Sequence, residues 1–171
     1  LDTAQILQCQ KVILHTGFCP ETADETLERH IARAIIDVYR PLALAYPALT
    51  LCIENSFEDS FILFEEMFSL TLPENLKMCV DTGHCNIYAH QSPEEIIRRF
   101  ANHISHFHLH DNHGETDQHM VPGRGTIEWK EVLAAIKMTE NPSLLIEVFD
   151  YLEIEKHLDT ITALLQLDSL P

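Results

Sequence analysis

Short apolar runs alternate along the chain with longer segments of helical periodicity. Each apolar run is nearly continuous and ends in a polar or ionisable residue, as expected of strands buried on both faces of a parallel sheet. The predicted strands are Lys11–His15, Thr50–Glu54, Lys77–Asp81, Ile104–His108 and Leu144–Phe149. This alternation is typical of consecutive βα units.

Apolar residues spaced three and four positions apart predict a helix after each strand. Ser92 followed by Pro93 and two glutamates indicates a helix start, because these residues suit an N-cap and a first turn. Residues 1–9 are interpreted as the end of a helix. The predicted helices are Ala23–Leu44, Phe57–Phe68, Pro93–Asn102, Trp129–Met138 and Leu152–Leu165.

These five βα units predict an α/β fold, the (β/α)₈ TIM barrel, as a single domain over residues 1–171. The complete barrel has eight units in about 250 residues. We therefore expect the five units to be the C-terminal ones, with the three N-terminal units missing. An open doubly wound sheet is the alternative, but a nucleotide-binding one needs a glycine-rich first turn that this sequence lacks.

Composition narrows the class of protein. The apolar runs fall far short of the roughly 20 residues that span a bilayer, so no membrane association is expected. A formal net charge of −16 opposes approach to nucleic-acid phosphates. The five cysteines are an odd number without CxxC spacing, which favours a reducing cytoplasm.

Ionisable residues mark the C-terminal end of every predicted strand. In a (β/α)₈ barrel these ends converge on one mouth, where active sites are built. Three carboxylates and one imidazole at one point require a cation, so we predict that Glu54, Asp81, His108 and Glu147 bind a divalent metal: Mn, Co, Mg or Zn. A lone acid after a strand is more simply a helix cap, and this interpretation applies to Asp111 and Asp150.

Further polar residues surround the predicted mouth. Alternation along the fourth strand puts three histidines on one face: His108 is the best ligand, His106 a hydrogen-bonded core residue, and His110 lies beyond the sheet. Asp117 and His119 either reach a second metal or form a surface salt bridge.

Glycines shape two segments near this mouth. Gly83 lets the chain turn so that His84 also faces the mouth. Arg124, between two glycines, is a candidate for binding an anion or a hydroxyl group, and Trp129 is expected to pack in the core.

Several motifs resemble the xylose isomerase-like superfamily, which groups sugar (phosphate) isomerases and epimerases with the zinc AP endonucleases of AP endonuclease family 2. The resemblance covers nearly the whole chain. Its blocks, in order, are Leu14-His15-Thr16-Gly17, Ile53-Glu54-Asn55, Asp81-Thr82-Gly83-His84, His108-Leu109-His110-Asp111-Asn112, Asp117-x-His119 and Gly123-x-Gly125-x-Ile127-x-Trp129.

This resemblance implies two ligand sets. The metal quartet of the sugar epimerases falls on Glu54, Asp81, His108 and Glu147. The AP endonucleases share that quartet and add ligands that fall on His15, His84, Asp117 and His119.

Three functions follow as hypotheses. The first is a metal-dependent isomerase or epimerase of a sugar or sugar phosphate, in which Glu54 and Glu147 transfer protons through an enediolate while His84 and Arg124 hold substrate oxygens. The second is a zinc-dependent AP endonuclease, which the net charge disfavours. The third is an inactive partial barrel, whose open edges would need the missing part or a second copy in a homo-oligomer.

Overall fold

A computed structural model describes residues 1–17 and 24–149, together with residues 152 and 155. Within these residues, five parallel strands form one sheet whose order follows the chain. The strands are β1 (Lys11–His15), β2 (Thr50–Glu54), β3 (Leu76–Asp81), β4 (Ile104–Leu109) and β5 (Ser143–Ile146). The sheet curls into a half-barrel with helices, which confirms the predicted partial (β/α) barrel.

Helices connect the strands, because neighbouring parallel strands need a crossover connection, which is usually a helix. The described helices are α1 (Asp2–Ile6), α2 (Glu25–Ala45), α3 (Ile62–Ser69), α4 (Thr82–Tyr88), α5 (Pro93–Phe100) and α6 (Trp129–Ile136). Ser92 and Glu95 form a capping box at the start of α5, at the predicted site. The predicted helix Leu152–Leu165 lies outside the described residues, apart from residues 152 and 155.

Side chains alternate between the two faces of the sheet along each strand, so one set packs in the hydrophobic core and the other faces the barrel interior that opens at the mouth. Side chains such as Ile53, Val80 and Phe107 are fully buried in the hydrophobic core that includes residues of the helices. Burying each contributes about 1.5–3 kcal/mol. The intervening positions belong to the other face of the sheet, and there β2 ends in Glu54 and β3 in Asp81.

Several predicted boundaries differ from the structure, and one helix was not predicted. Helix α3 begins at Ile62 rather than Phe57, because the preceding loop folds around the side chain of Glu58, which accepts a hydrogen bond from the Ser56 amide. Strand β5 ends at Ile146 rather than Phe149. Helix α4 was not predicted: the Asp81 carboxylate accepts the His84 amide at 2.8 Å and so caps a helix where a turn was expected.

Polar side chains cross the interior of the half-barrel below the mouth. The Lys11 ammonium donates to the Ser105 carbonyl and, at 2.9 Å, to the Ser143 hydroxyl. The same hydroxyl lies 2.6 Å from His106 Nδ1, so His106 is hydrogen-bonded inside the fold. In the described part of the chain, no helix has the length and apolarity needed to cross a membrane.

Candidate metal centre

The side chains of Glu54, Asp81, His108 and Glu147 meet at the mouth, and we refer to them as the quartet. One ligand atom from each lies within 4.8 Å of the others. His108 Nδ1 is 2.7 Å from Glu54 Oε1, 2.9 Å from Glu147 Oε2 and 3.9 Å from Asp81 Oδ2. Strand register produces this meeting: Asp81 pairs with His108, and the Glu147 amide extends the pairing of β5 with β4 by donating to the Leu109 carbonyl.

The charge of the quartet fits a divalent cation. Glu54 is 3% exposed and Asp81 is 0% exposed, so their carboxylates are largely removed from water. Even a protonated His108 would leave an excess of negative charge among three carboxylates, which is costly without a cation. Ligands about 2.1 Å from one metal ion lie roughly 3 Å apart, close to the observed separations.

The protonation of His108 reflects these neighbours. Burial by itself lowers the pKa of His108, but the hydrogen bond to Glu54 and the charges of Glu54, Glu147 and Asp81 raise it above its ordinary value. The carboxylates therefore stabilise a positive charge beside Nδ1. Either a proton on the ring or a metal ion bound to it can supply that charge.

A second group, which we call the histidine cluster, consists of His84, His110, Asp117 and His119. Its ligand atoms also lie within 4.8 Å of one another. Asp117 Oδ2 is 3.1 Å from His119 Nε2 and 3.5 Å from His84 Nε2. This mixed N and O donor set could hold a further metal ion, and the contact of Asp117 with His119 equally fits the salt bridge that was the alternative expectation.

Asp81 joins the two groups. Its Oδ1 atom lies 2.9 Å from His110 Nε2 and 3.6 Å from His84 Nδ1. Burial favours a raised pKa for Asp81, but the hydrogen bond from His110 and the charges of His110 and His84 outweigh it and lower the pKa. Asn55 fixes the Asp81 backbone through hydrogen bonds of 2.9 and 3.1 Å.

His110 was missed as a site residue by the sequence reasoning, which put it beyond the sheet. The residue follows β4 but is fully buried, and its ring stacks on His119 with 3.9 Å between centroids. The two-residue alternation along β4 already put His110 on the face of His108, but it does not indicate the contacts of the His110 ring with Asp81 and His119. Gly83 is required beside it, because a Cβ at position 83 would lie 1.9 Å from His110 Cε1.

We expect Gly83→Ala to destabilise the protein by about 1–3 kcal/mol through this overlap. Removing the imidazole relieves the clash, so the double variant Gly83→Ala/His110→Ala should be more stable than the sum of the two single effects predicts. Thermal unfolding of all four proteins measures this coupling. Strictly additive effects would show that the two residues do not compete for space.

Two further ionisable residues lie near the C-terminal end of β1. His15 Nε2 lies 3.0 Å from Glu54 Oε2, with 69% of the His15 side chain exposed. Glu58, which the sequence did not indicate, is buried nearby and accepts from the Thr16 hydroxyl and the Ser56 amide. Burial raises the pKa of Glu58. A loop acid of this kind has no periodic signal in the sequence.

Asp111 organises the loop that follows β4 instead of capping a helix as predicted. Its carboxylate is fully buried and accepts several hydrogen bonds. The donors, at 2.8–3.3 Å, are the amides of Asn112, Gly123, Gly125 and Ile127 and the indole Nε1 of Trp129. Trp129 packs in the core as expected, and Arg124 is exposed on this loop.

Curated relatives match most of the chain but carry no assigned activity. An uncharacterised protein of Sinorhizobium fredii is 24% identical over 149 residues, which cover 81% of this chain and 47% of the relative. An uncharacterised protein of Methanocaldococcus jannaschii is 26% identical over 160 residues, covering 88% and 61%. The chain therefore spans about half to three-fifths of the length of these relatives.

Solved structures share the fold. A D-tagatose 3-epimerase-like protein matches with a TM-score of 0.80 and 23% identity, covering 97% of this chain and 66% of that one. A Thermus thermophilus protein soaked with ZnCl₂ matches with a TM-score of 0.75 and 20% identity, covering 95% and 64%. A xylose isomerase domain protein from Planctomyces limnophilus gives 0.72 and 19%, covering 96% and 61%.

The match to a family model covers nearly the whole sequence. Residues 1–166 fit the model of the xylose isomerase-like TIM barrel. The order of strands and the curl of the sheet agree with that match. The chain belongs to the xylose isomerase-like TIM barrel family.

Proposed function

We propose that the protein is a divalent-metal-dependent isomerase or epimerase of a sugar or sugar phosphate. The observation that carries this proposal is the meeting of Glu54, Asp81, His108 and Glu147 within 4.8 Å at the mouth. The quartet would hold the metal, which is Mn, Co, Mg or Zn by its donor set. When bound, the metal would polarise neighbouring carbonyl and hydroxyl oxygens of a substrate and acidify the carbon-bound proton between them.

Glu54 and Glu147 would transfer that proton through an enediolate. They belong to β2 and to the segment after β5, which are separated by two strands, so their carboxylates approach from different sides. Glu147 is the more open of the two, with 38% of its side chain exposed against 5% for Glu54. One carboxylate would remove the proton from one face of the substrate, and the other would supply a proton from the opposite face. The proton would return to the same carbon in an epimerisation and to the neighbouring carbon in an isomerisation.

Other side chains would position the substrate. His84 is only partly buried and lies beside Asp81, so it is suited to hold a substrate hydroxyl. The similarity in fold to a D-tagatose 3-epimerase-like protein supports a sugar as the substrate class. The pairing of two carboxylates with a metal position supports proton transfer as the reaction class.

A zinc-dependent AP endonuclease is the second candidate. The histidine cluster favours it, because a phosphodiesterase of that kind needs metal positions beyond the quartet. The net charge of −16 opposes it, since the enzyme would have to approach a polyanion.

Hydrogen exchange distinguishes the two candidates. The protein is stripped of metal, reloaded with Mn²⁺ and incubated in D₂O with ketohexoses including D-tagatose, and deuterium incorporation is followed by NMR. We expect deuterium at a carbon next to the carbonyl together with a new sugar isomer, both lost on chelation. Cleavage of abasic duplex DNA without exchange into any sugar would overturn the proposal in favour of the second candidate.

A further inference from the structure

A cavity of about 260 Å³ opens beside the histidine cluster. Its wall includes His119 of that cluster, together with Val148 and Phe149, which directly follow Glu147 in the chain. The Phe149 ring stacks on His119 with centroids 3.9 Å apart while remaining 75% exposed. The cavity therefore borders the histidine cluster at His119, whose Nδ1 lies 2.9 Å from the backbone carbonyl oxygen of Glu147, and it presents an aromatic face to a ligand.

Arg124 lines the same cavity on a tightly constrained turn. The amides of Gly123 and Gly125, on either side of it, both donate to Asp111 Oδ2 at 2.9 Å. Gly123 has a φ of +88°, and a Cβ on Gly125 would lie 2.1 Å from the Asn112 carbonyl oxygen. The backbone of Arg124 is thus held between two positions that favour glycine, one because of its φ angle and the other because of its close contact.

Within the described part of the chain, the Arg124 guanidinium forms no salt bridge. The arginine salt bridges found there belong to Arg29, Arg33, Arg98 and Arg99. Its neighbours in the cavity wall include Met120, Val121 and Val148, which offer the guanidinium no opposite charge. A guanidinium against an apolar wall gains most from an anion whose two oxygens accept a pair of parallel hydrogen bonds.

We propose that the cavity is an anion subsite, in which Arg124 binds a phosphate or carboxylate group of a sugar whose reacting carbons lie at the quartet. This inference rests on the proposed function and names its substrate class: a sugar phosphate or a sugar acid rather than a neutral sugar. The phosphate and the carboxylate share the chemistry that Arg124 recognises, and matched ligands separate them.

Calorimetric titration of the Mn²⁺-loaded protein with D-glucose, D-glucose 6-phosphate and D-glucuronate tests the subsite, because these probes differ at one carbon. We expect at least one anionic sugar to bind about 10-fold or more tightly than glucose. Arg124→Gln should remove that preference, and Arg124→Lys should retain part of it. Arg98→Gln is the matched control, since Arg98 pairs with Glu131 on the helical side of the fold.

The outcomes separate this inference from the proposed function. An anion can also ligate the metal directly, so a preference for anionic sugars that survives in Arg124→Gln overturns the subsite. Equal binding of all three probes, or no binding of either anionic sugar, also overturns it. Deuterium exchange into sugars that is indifferent to Arg124 leaves the proposed function standing without the subsite. Arg124-dependent anion binding without exchange into any sugar leaves the subsite standing and overturns the proposed function.

Discussion

Glu147→Gln is expected to lower kcat/KM for sugar isomerisation by about 10²–10⁴-fold, the usual contribution of a general acid or base. The Glu147 carboxylate lies 2.9 Å from His108 Nδ1 at the open side of the quartet. An amide keeps the shape of the side chain but cannot take or return a proton. Steady-state rates at saturating Mn²⁺ measure the effect, since excess metal compensates for the weakened ligand.

The fold should tolerate this change. The Glu147 side chain is 38% exposed, so the variant and the wild-type protein should unfold at similar temperatures. Glu140→Gln makes the same chemical change at an exposed position before β5 and should leave the rate unchanged. Full turnover by Glu147→Gln would refute the assigned role in proton transfer.

The strands and the quartet were predictable because they depend on local pattern and simple topology. Buried parallel strands have nearly continuous apolar runs, and the C-terminal ends of such strands must share one edge of the sheet. Knowing that Glu54 and Asp81 end their strands was therefore enough to expect them near each other. Their observed proximity to His108 follows from the register of neighbouring strands.

The remaining site residues depend on contacts between distant segments. Glu58 is buried only because a loop folds toward Thr16, and Asp111 is surrounded by amides from residues 12 to 16 positions later. Helix α4 begins where Asp81, a predicted ligand, also acts as an N-cap. In the sequence, an aspartate that is both a candidate ligand and an N-cap looks the same as an aspartate with only one of these roles. The second role of Asp81 therefore could not be predicted.

Asp81→Asn is expected to weaken divalent metal binding by about 100-fold or more, since even outer partners of metal ligands are worth 10–100-fold. The loss should extend to both groups, because Oδ2 lies 3.9 Å from His108 Nδ1 and Oδ1 lies 2.9 Å from His110 Nε2. The amide removes one negative charge. Its NH₂ group also offers a donor where an imidazole already donates.

Calorimetric titration with Zn²⁺ and with Mn²⁺, at matched protein concentration, measures this loss. Asp37→Asn is the matched control: Asp37 is an exposed acid on α2, and its neutralisation should leave both affinities unchanged. If Asp81 links the two groups, its variant should bind less metal than variants in which His84 or His108 alone is replaced by alanine. Wild-type affinity in Asp81→Asn would show that the buried carboxylate is held for the fold and not for a metal, because a structural acid needs only its hydrogen bonds to His110 and the His84 amide.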